Sequence, residues 1–325
     1  MLELLKRRIR LKVLGTPELV DERPSFDHAE LVRRIAASAA KKRRSYREFP
    51  SFVHLESLAI CNAACDFCPY SGLERKGTRM PDELIEKVVR DLADGPGNLP
   101  FLFAPYKVSD PFLEPRLFDI MDLVTAKLPA ARFAIITNGS PLTQKKAEKL
   151  ATYSNVGYLT VSLNFCDAEE YRSVMGIEFS KTLKRVDRLH ELARAGRFRF
   201  PIRLSRVTAG RAADERFLAF ARNRFPLFSA FVLPRNDWIG EVITPGANAR
   251  VPDAPCHRWF DMSVTATGEV AMCCMDGEAR YSKGNVRDRH LLELYNQPHL
   301  RAMREALPSR RTLGEPCRRC TYLSG

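Results

Sequence analysis

The chain has 325 residues, 45% of them hydrophobic, enough for one large domain and a smaller one. No apolar run is long enough to cross a bilayer, and Met1-Leu2-Glu3-Leu4-Leu5-Lys6-Arg7-Arg8 is too charged for a signal-peptide core, so a cytoplasmic protein without a membrane partner is expected. The net charge of +13 raises nucleic acid as a partner, but residues 1–50 hold 13 Lys or Arg against 7 Asp or Glu, and the rest of the excess is scattered and not interleaved with aromatics. Solvated helix faces are expected instead, with attraction for an anionic substrate or an electron-donor protein.

Residues 1–50 read as a basic helical extension of two amphipathic stretches, with Leu31, Ile35 and Ser38/Ala39 as the apolar stripe of the second. Lys41-Lys42-Arg43-Arg44 reads as a solvated helix end. Strand and helix then alternate. Phe52-Val53-His54-Leu55 is a strand. Pro81 opens a helix through Leu84, Val88, Val89 and Leu92, stopped by Gly95. Leu99 to Ala104 is a strand, and Leu117, Ile120, Met121 and Val124 form a helical stripe. Phe133-Ala134-Ile135-Ile136 is a strand ending in Thr137-Asn138-Gly139. A helix follows over about 143–152, then a strand from Tyr158 to Leu163. Val186, Leu189 and Leu192 lie on one helix face, Ile202 to Val207 is a strand, and Phe217, Leu218 and Ala221 belong to a helix. Phe231-Val232-Leu233 is the last strand.

Six strands alternating with helices imply parallel β/α units, joined by right-handed crossovers into an open sheet or a barrel. Periodicity alone leaves that choice open. From about residue 240 the texture changes: Gly240 to Pro255 reads as a linker, and the remainder is cysteine-rich and weakly periodic. The expected organisation is therefore an extension over 1–50, a core over 51–240 and a small metal-held module over 241–325.

Nine cysteines in a reducing compartment argue for metal ligation rather than disulfides. Cys61, Cys65 and Cys68 stand at C-x3-C-x2-C spacing, with Phe67 before the third. Three thiolates on one loop can hold three irons of a 4Fe–4S cube and leave the fourth without a protein ligand, whereas a structural metal site is normally closed by four. A second set comprises Cys256, Gly268, Cys273 and the pair Cys317-x2-Cys320, with Thr267-Gly268-Glu269-Val270 as a hairpin turn. Four thiolates would close a cluster completely. A four-cysteine zinc site has the same spacing.

The first motif resembles the radical SAM superfamily, and the second resembles the shortened "twitch" form of the SPASM auxiliary-cluster module. The resemblance covers residues 50–323 and implies a partial (β/α)6 barrel with a small C-terminal iron–sulfur domain. It implies S-adenosylmethionine (SAM) on the open iron, reductive formation of a 5′-deoxyadenosyl radical, and two 4Fe–4S clusters. Cys61, Cys65 and Cys68 would hold the first cluster. Cys256, Cys273, Cys317 and Cys320 would hold the auxiliary one, with Cys273 preferred over its neighbour Cys274 by spacing from Gly268. An electron donor such as flavodoxin or ferredoxin is implied.

In the family, SAM lies across the C-terminal ends of the strands. By position, Phe67, Ser109, Asp110, Asn138, Ser162 and Asn164 are candidate SAM contacts. The usual Gly-Gly-Glu-Pro-like segment is replaced by Lys107-Val108-Ser109-Asp110-Pro111. If the strand runs on through residue 166, Ser162, Asn164 and Cys166 share one face, which puts a thiol beside the radical as a hydrogen donor. Cys274 is the alternative donor. Asn236, Asp237 and Trp238, after the last strand, are candidate substrate contacts.

Twitch-type relatives act largely on carbohydrates, aminoglycosides and aminocyclitols. The expected reaction is hydrogen abstraction from a carbinol carbon followed by epimerisation. The alternatives are oxidation of that carbinol to a ketone, modification of a ribosomally made peptide, and a non-catalytic iron–sulfur or zinc protein that binds RNA.

Overall fold

The computed structural model describes residues 27–243 and 250–323. The first basic stretch of the extension lies outside them. The second is helix α1 (His28–Ser45), started by Asp27, whose side chain accepts from the Glu30 N–H, with Ile35 and Ala39 buried. Its basic end is not simply solvated, as the sequence led us to expect. Lys42 Nζ donates to Asp261 Oδ1 at 2.9 Å, and Asp261 is fully buried.

Strand β1 (Phe52–Leu55) follows, then α2 (Asp82–Ala93), β2 (Phe101–Ala104), α3 (Leu117–Lys127), β3 (Ala131–Thr137), α4 (Gln144–Ala151) and β4 (Val156–Ser162). Next come α5 (Ala168–Met175), α6 (Phe179–Arg194), β5 (Ile202–Val207), α7 (Arg211–Arg224) and β6 (Ser229–Leu233). The C-terminal part adds β7 (Asp261–Val264), α8 (Leu291–Tyr295) and α9 (Pro298–Ala306). Helix α2 shows how the pattern works. Asp82 and Glu83 face the positive N-terminal end of its dipole, and Leu84, Ile85, Val88, Val89 and Leu92 form its buried stripe.

The seven strands run in the order β6-β5-β4-β3-β2-β1-β7, every neighbour parallel. The helices pack against one side of the sheet, where Val53, Leu55, Phe103, Phe133, Ile135, Leu159, Val161 and Leu204 form the core. Among the described residues β6 and β7 do not pair, so the sheet curls without closing: a partial (β/α)6 barrel with a seventh strand on its edge. That strand comes from the cysteine-rich part. It pairs with β1 from Phe52↔Asp261 to Leu55↔Val264, so this part is welded to the sheet rather than hung from a linker. No helix among the described residues is long and apolar enough to cross a membrane.

Candidate active site

Strand β1 delivers the first three cysteines to the C-terminal end of the sheet. Their loop is fixed from below by the end of α5: the N–H groups of Ala64 and Asp66 donate to the carbonyls of Met175 and Val174 at 2.9 and 3.2 Å. Helix α5 ends at Gly176 with φ +70°, and a Cβ there would stand 3.3 Å from the Ala64 Cβ. Burial raises all three thiol pKa values, Cys61 to about 11, Cys68 to about 12 and Cys65 further still. A buried thiolate is costly unless a cation neutralises it, which is the role iron plays in a cluster.

Asn138, at the end of β3, points its amide at this loop. Its Nδ2 donates to Asn62 Oδ1 at 2.9 Å and lies 3.8 Å from Cys61 Sγ. Asp110 is also here but turned inward. It accepts from Thr137 Oγ1 (2.8 Å), the Asn138 N–H (2.9 Å) and the Phe112 N–H (3.0 Å), and burial raises its pKa to about 6. It ties the ends of β2 and β3 together. Ser109 precedes it, half-buried. Phe67 is half-buried under the Arg235 guanidinium, 5.8 Å from ring centroid to Cζ, and Arg235 pairs with Asp66. Trp238 Nε1 donates to the Phe67 carbonyl at 2.9 Å, so this aromatic sits against the cysteine loop. Asp237 Oδ1 accepts from the Ile239 N–H, and Asn236 Nδ2 donates to the Pro234 carbonyl.

The end of β4 departs from expectation. The strand stops at Ser162, and Asn164 has φ +59°. Alternation therefore does not continue, and the phase that put Cys166 on the face of Ser162 and Asn164 is lost. Cys166 is half-buried just before Asp167, which caps α5. Asn164 is fully buried, and its amide is used within the protein. Nδ2 donates to Ser162 Oγ at 3.0 Å and contacts Met175 Sδ at 3.3 Å, while Oδ1 accepts from the Val207 N–H at 2.8 Å. Met175 Sδ in turn lies 3.3 Å from Cys65 Sγ. Asn164 thus braces the cysteine loop rather than presenting a free polar group to a ligand.

Cys256, Cys273, Cys317 and Cys320 line one small cavity together with Ile239, Arg258, Trp259 and Arg310. Cys274 does not line it. Burial raises the pKa values of Cys317 to about 11 and Cys320 to about 12, and raises those of Cys256 and Cys273; the adjacent Cys274, and then the other three cavity thiols, reinforce the shift of Cys273. All nine cysteines are free of disulfides. Among the described residues no three Cys, His, Asp or Glu side chains converge on a single metal ion. A shared cavity lined by four cysteines, three of them buried and Cys273 half-buried, has the donor set of a cluster.

Sequence reasoning missed the charged joint between the two cysteine sets. Glu56, at the end of β1, is fully buried. It receives Arg75 Nε and Nη2 (2.6 and 3.0 Å) and the N–H groups of Val108 and Ala266 (3.0 and 3.2 Å). Burial pushes its pKa up, but Arg75 outweighs this and the net shift is down. Arg75 also pairs with Glu278 at 2.8 Å. Lys107 Nζ donates to the carbonyls of Asp276 and Gly277 at 2.6 and 2.8 Å. The loop after Cys273 and Cys274 is thereby fastened to the ends of β1 and β2.

A row on the sheet face turned from the helices was missed too. Arg203 Cζ lies 3.6 Å from the Tyr158 ring centroid and its Nε donates to Thr160 Oγ1 at 3.1 Å; Ser205 and Phe231 are laterally paired beside them. Ile136, next to the end of β3, is 37% exposed on this face. The period-2 pattern of β4 and β5 carries this signal.

A curled parallel sheet with one three-thiol loop at its strand ends and a second, four-thiol cavity beside it defines an enzyme with two iron–sulfur sites. Residues 55–200 match the radical SAM superfamily, and residues 256–321 match the iron–sulfur cluster-binding domain called SPASM. The chain thus carries a radical SAM match over part of its sheet and an iron–sulfur cluster-binding match in its C-terminal part. Its cofactors are SAM with a 4Fe–4S cluster, and an auxiliary iron–sulfur cluster.

The S-adenosyl-L-methionine-dependent 2-deoxy-scyllo-inosamine dehydrogenase of Niallia circulans is 31% identical over 103 residues, which is 31% of this chain and 40% of that enzyme. Less than half of that relative's length is therefore matched. Among solved structures, BtrN in complex with AdoMet and 2-DOIA aligns with a TM-score of 0.57 at 18% identity, over 85% of this chain and 94% of that one. Streptococcus suis SuiB bound to precursor peptide SuiA aligns with a TM-score of 0.59 at 15% identity, over 98% and 81%. Native anSMEcpe with bound AdoMet aligns with a TM-score of 0.58 at 16% identity, over 83% and 85%. These structures share the fold.

Proposed function

We propose that this radical SAM enzyme removes hydrogen from a carbinol carbon of an aminocyclitol-like or carbohydrate substrate and oxidises it to the ketone. The observation that carries this reading is the closed ring of Cys256, Cys273, Cys317 and Cys320, clamped to the strand ends by Lys107 and the Arg75–Glu56 pair. A cluster with four protein ligands has no open iron for substrate and suits electron transfer. The dehydrogenase named above supports the same reaction class.

On this reading residues 51–240 form the catalytic core and 241–325 the auxiliary domain. Cys61, Cys65 and Cys68 hold the SAM-binding cluster. When bound, the two cofactor sites supply hydrogen-atom abstraction and a one-electron sink. The chain's own residues do the rest. Asn138 donates toward Cys61, and Phe67 offers an aromatic wall held by Arg235 and Trp238. Tyr158, Thr160, Arg203 and Ser205 offer the substrate hydroxyl groups hydrogen-bond partners on the inner sheet face. A flavodoxin- or ferredoxin-type protein supplies the priming electron.

Epimerisation is the second reading. One observation favours it: Cys274 lies outside the four-thiol cavity and close enough to Lys107 to influence it electrostatically. A thiol there would return a hydrogen atom to the substrate carbon. The two readings separate in deuterated water with SAM, a strong reductant and candidate aminocyclitols. A product lighter by two hydrogens supports oxidation. A product of unchanged hydrogen count that carries one solvent deuterium overturns oxidation in favour of inversion.

A further inference from the structure

Two arginines line the four-thiol cavity, and they differ in how they are satisfied. Arg258 spends its whole guanidinium on protein. Nε and Nη2 donate to the Tyr322 hydroxyl at 3.1 and 2.7 Å, and Nη1 donates to Asp261 at 3.0 Å. Its charge has a carboxylate beside it. Arg310 has none among the described residues. Its side chain is 1% exposed, and Nη1 donates to the Tyr322 carbonyl at 2.8 Å and lies 3.9 Å from Cys320 Sγ. Nε and Nη2 are buried and have no partner among the described residues.

A buried guanidinium with two idle nitrogens and no counter-charge beside it is costly. Such a group persists where something absent from the protein chain completes it. The cavity it lines is ringed by Cys256, Cys273, Cys317 and Cys320, and its charge acts on Cys256, Cys317 and Cys320. A cluster held by four thiolates carries net negative charge and presents sulfur acceptors.

We infer that Arg310 is a positioning residue for the auxiliary cluster: its free Nε–H and Nη2–H groups donate to cluster sulfur, and its uncompensated charge favours the reduced form. Reduction adds one negative charge to the cluster. A cation and N–H···S bonds at van der Waals range stabilise the reduced state more than the oxidised one, and so raise the reduction potential. The auxiliary site is thereby made a better electron acceptor than four thiolates alone would make it. The inference rests on the four-cysteine ligand set proposed above. It does not depend on the substrate or on the choice between oxidation and inversion.

The test uses the full chain with Cys61→Ala, Cys65→Ala and Cys68→Ala, so that the auxiliary cluster is the one remaining. Redox titration followed by EPR reads its potential, with iron and sulfide content measured alongside. Arg310→Gln should keep the cluster and lower the reduced-to-oxidised ratio at a fixed potential by at least about tenfold, equal to about 59 mV for one electron. Arg310→Lys, which keeps the charge but not the planar fork, should shift it in the same direction by less. A loaded Arg310→Gln protein that titrates as the parent does would overturn the inference. If the Gln variant takes up no iron, the Lys variant decides: a lowered potential supports the inference and an unchanged one overturns it. Absence of any iron–sulfur signal in the parent would instead sink the four-cysteine ligand set.

Discussion

Single residues carry the joint between the two cluster sites. Glu56 and Arg75 are both buried, so removing one leaves the other's charge stranded. Arg75→Met should therefore cost about 3–5 kcal/mol in chemical denaturation, and adding Glu56→Gln should recover part of the loss. His54 gives a pH signature. Burial lowers its pKa to about 3, with Arg258 adding to the effect, and its Nε2 has no partner among the described residues. The unfolded chain takes up this proton near pH 6.5, while the folded protein resists until about pH 3. Stability is thus fully present above pH 6.5 and is lost as pH falls toward 3. Relative to His54→Gln, the wild type should lose about 2 kcal/mol between pH 7 and pH 5; parallel pH profiles for the two proteins would contradict this.

Residue chemistry was legible where the side chain itself declares it. Three cysteines within eight residues can be read without a fold. Glu56, Arg75 and Lys107 could not be read, because Glu56 and Arg75 stand 19 positions apart with no pattern joining them, their partners in the C-terminal part lie 169 to 210 positions away, and charged residues in sequence look like solvated surface.

At the scale of elements, the β/α alternation was readable because each helix carries a stripe and each inner strand an apolar row. Where strand β4 ends was not. Leu163 and Phe165 continue the apolar alternation in sequence, yet the backbone turns at Asn164, a residue type that tolerates positive φ. The alternation reflects burial of both residues in the loop, not extended structure. Asn164→Val should therefore destabilise the protein by about 1–3 kcal/mol through the backbone alone, with loss of the amide bonds added. A midpoint unchanged from wild type would mean that the turn is not strained. The hairpin that leads to Cys273 was readable from Thr267-Gly268. Gly268 has φ +90°, and a Cβ would meet Asn285 Oδ1 at 2.6 Å. Gly268→Ala is expected to lower iron content toward that of one cluster while SAM cleavage persists. Full iron loading would show that the turn can relax.

For the molecule as a whole, the alternating pattern pointed to parallel β/α units, and the resemblance selected a barrel over a flat doubly wound sheet. What escaped was the attachment of the C-terminal part. Strand β7 is only four residues long and lies next to β1, some 200 residues earlier in the chain, and Asp261 within it is held by Lys42 of α1 and by Arg258. Short edge strands have little periodicity to reveal them, and their partner is set by tertiary packing. The consequence is functional: helix α1, the sheet and the C-terminal part are joined through Lys42, Asp261 and the β1–β7 pairing, with the four-thiol cavity beside them. The central claim is that this cavity holds the electron sink for substrate oxidation. The measurement that tests it most directly is the yield of ketone per 5′-deoxyadenosine in the wild type and in the Cys317→Ala, Cys320→Ala variant. The account predicts that 5′-deoxyadenosine still forms in the variant while ketone falls at least about tenfold, a loss of about 1.4 kcal/mol or more in the oxidation step. Ketone formed in the same proportion by both proteins would contradict it.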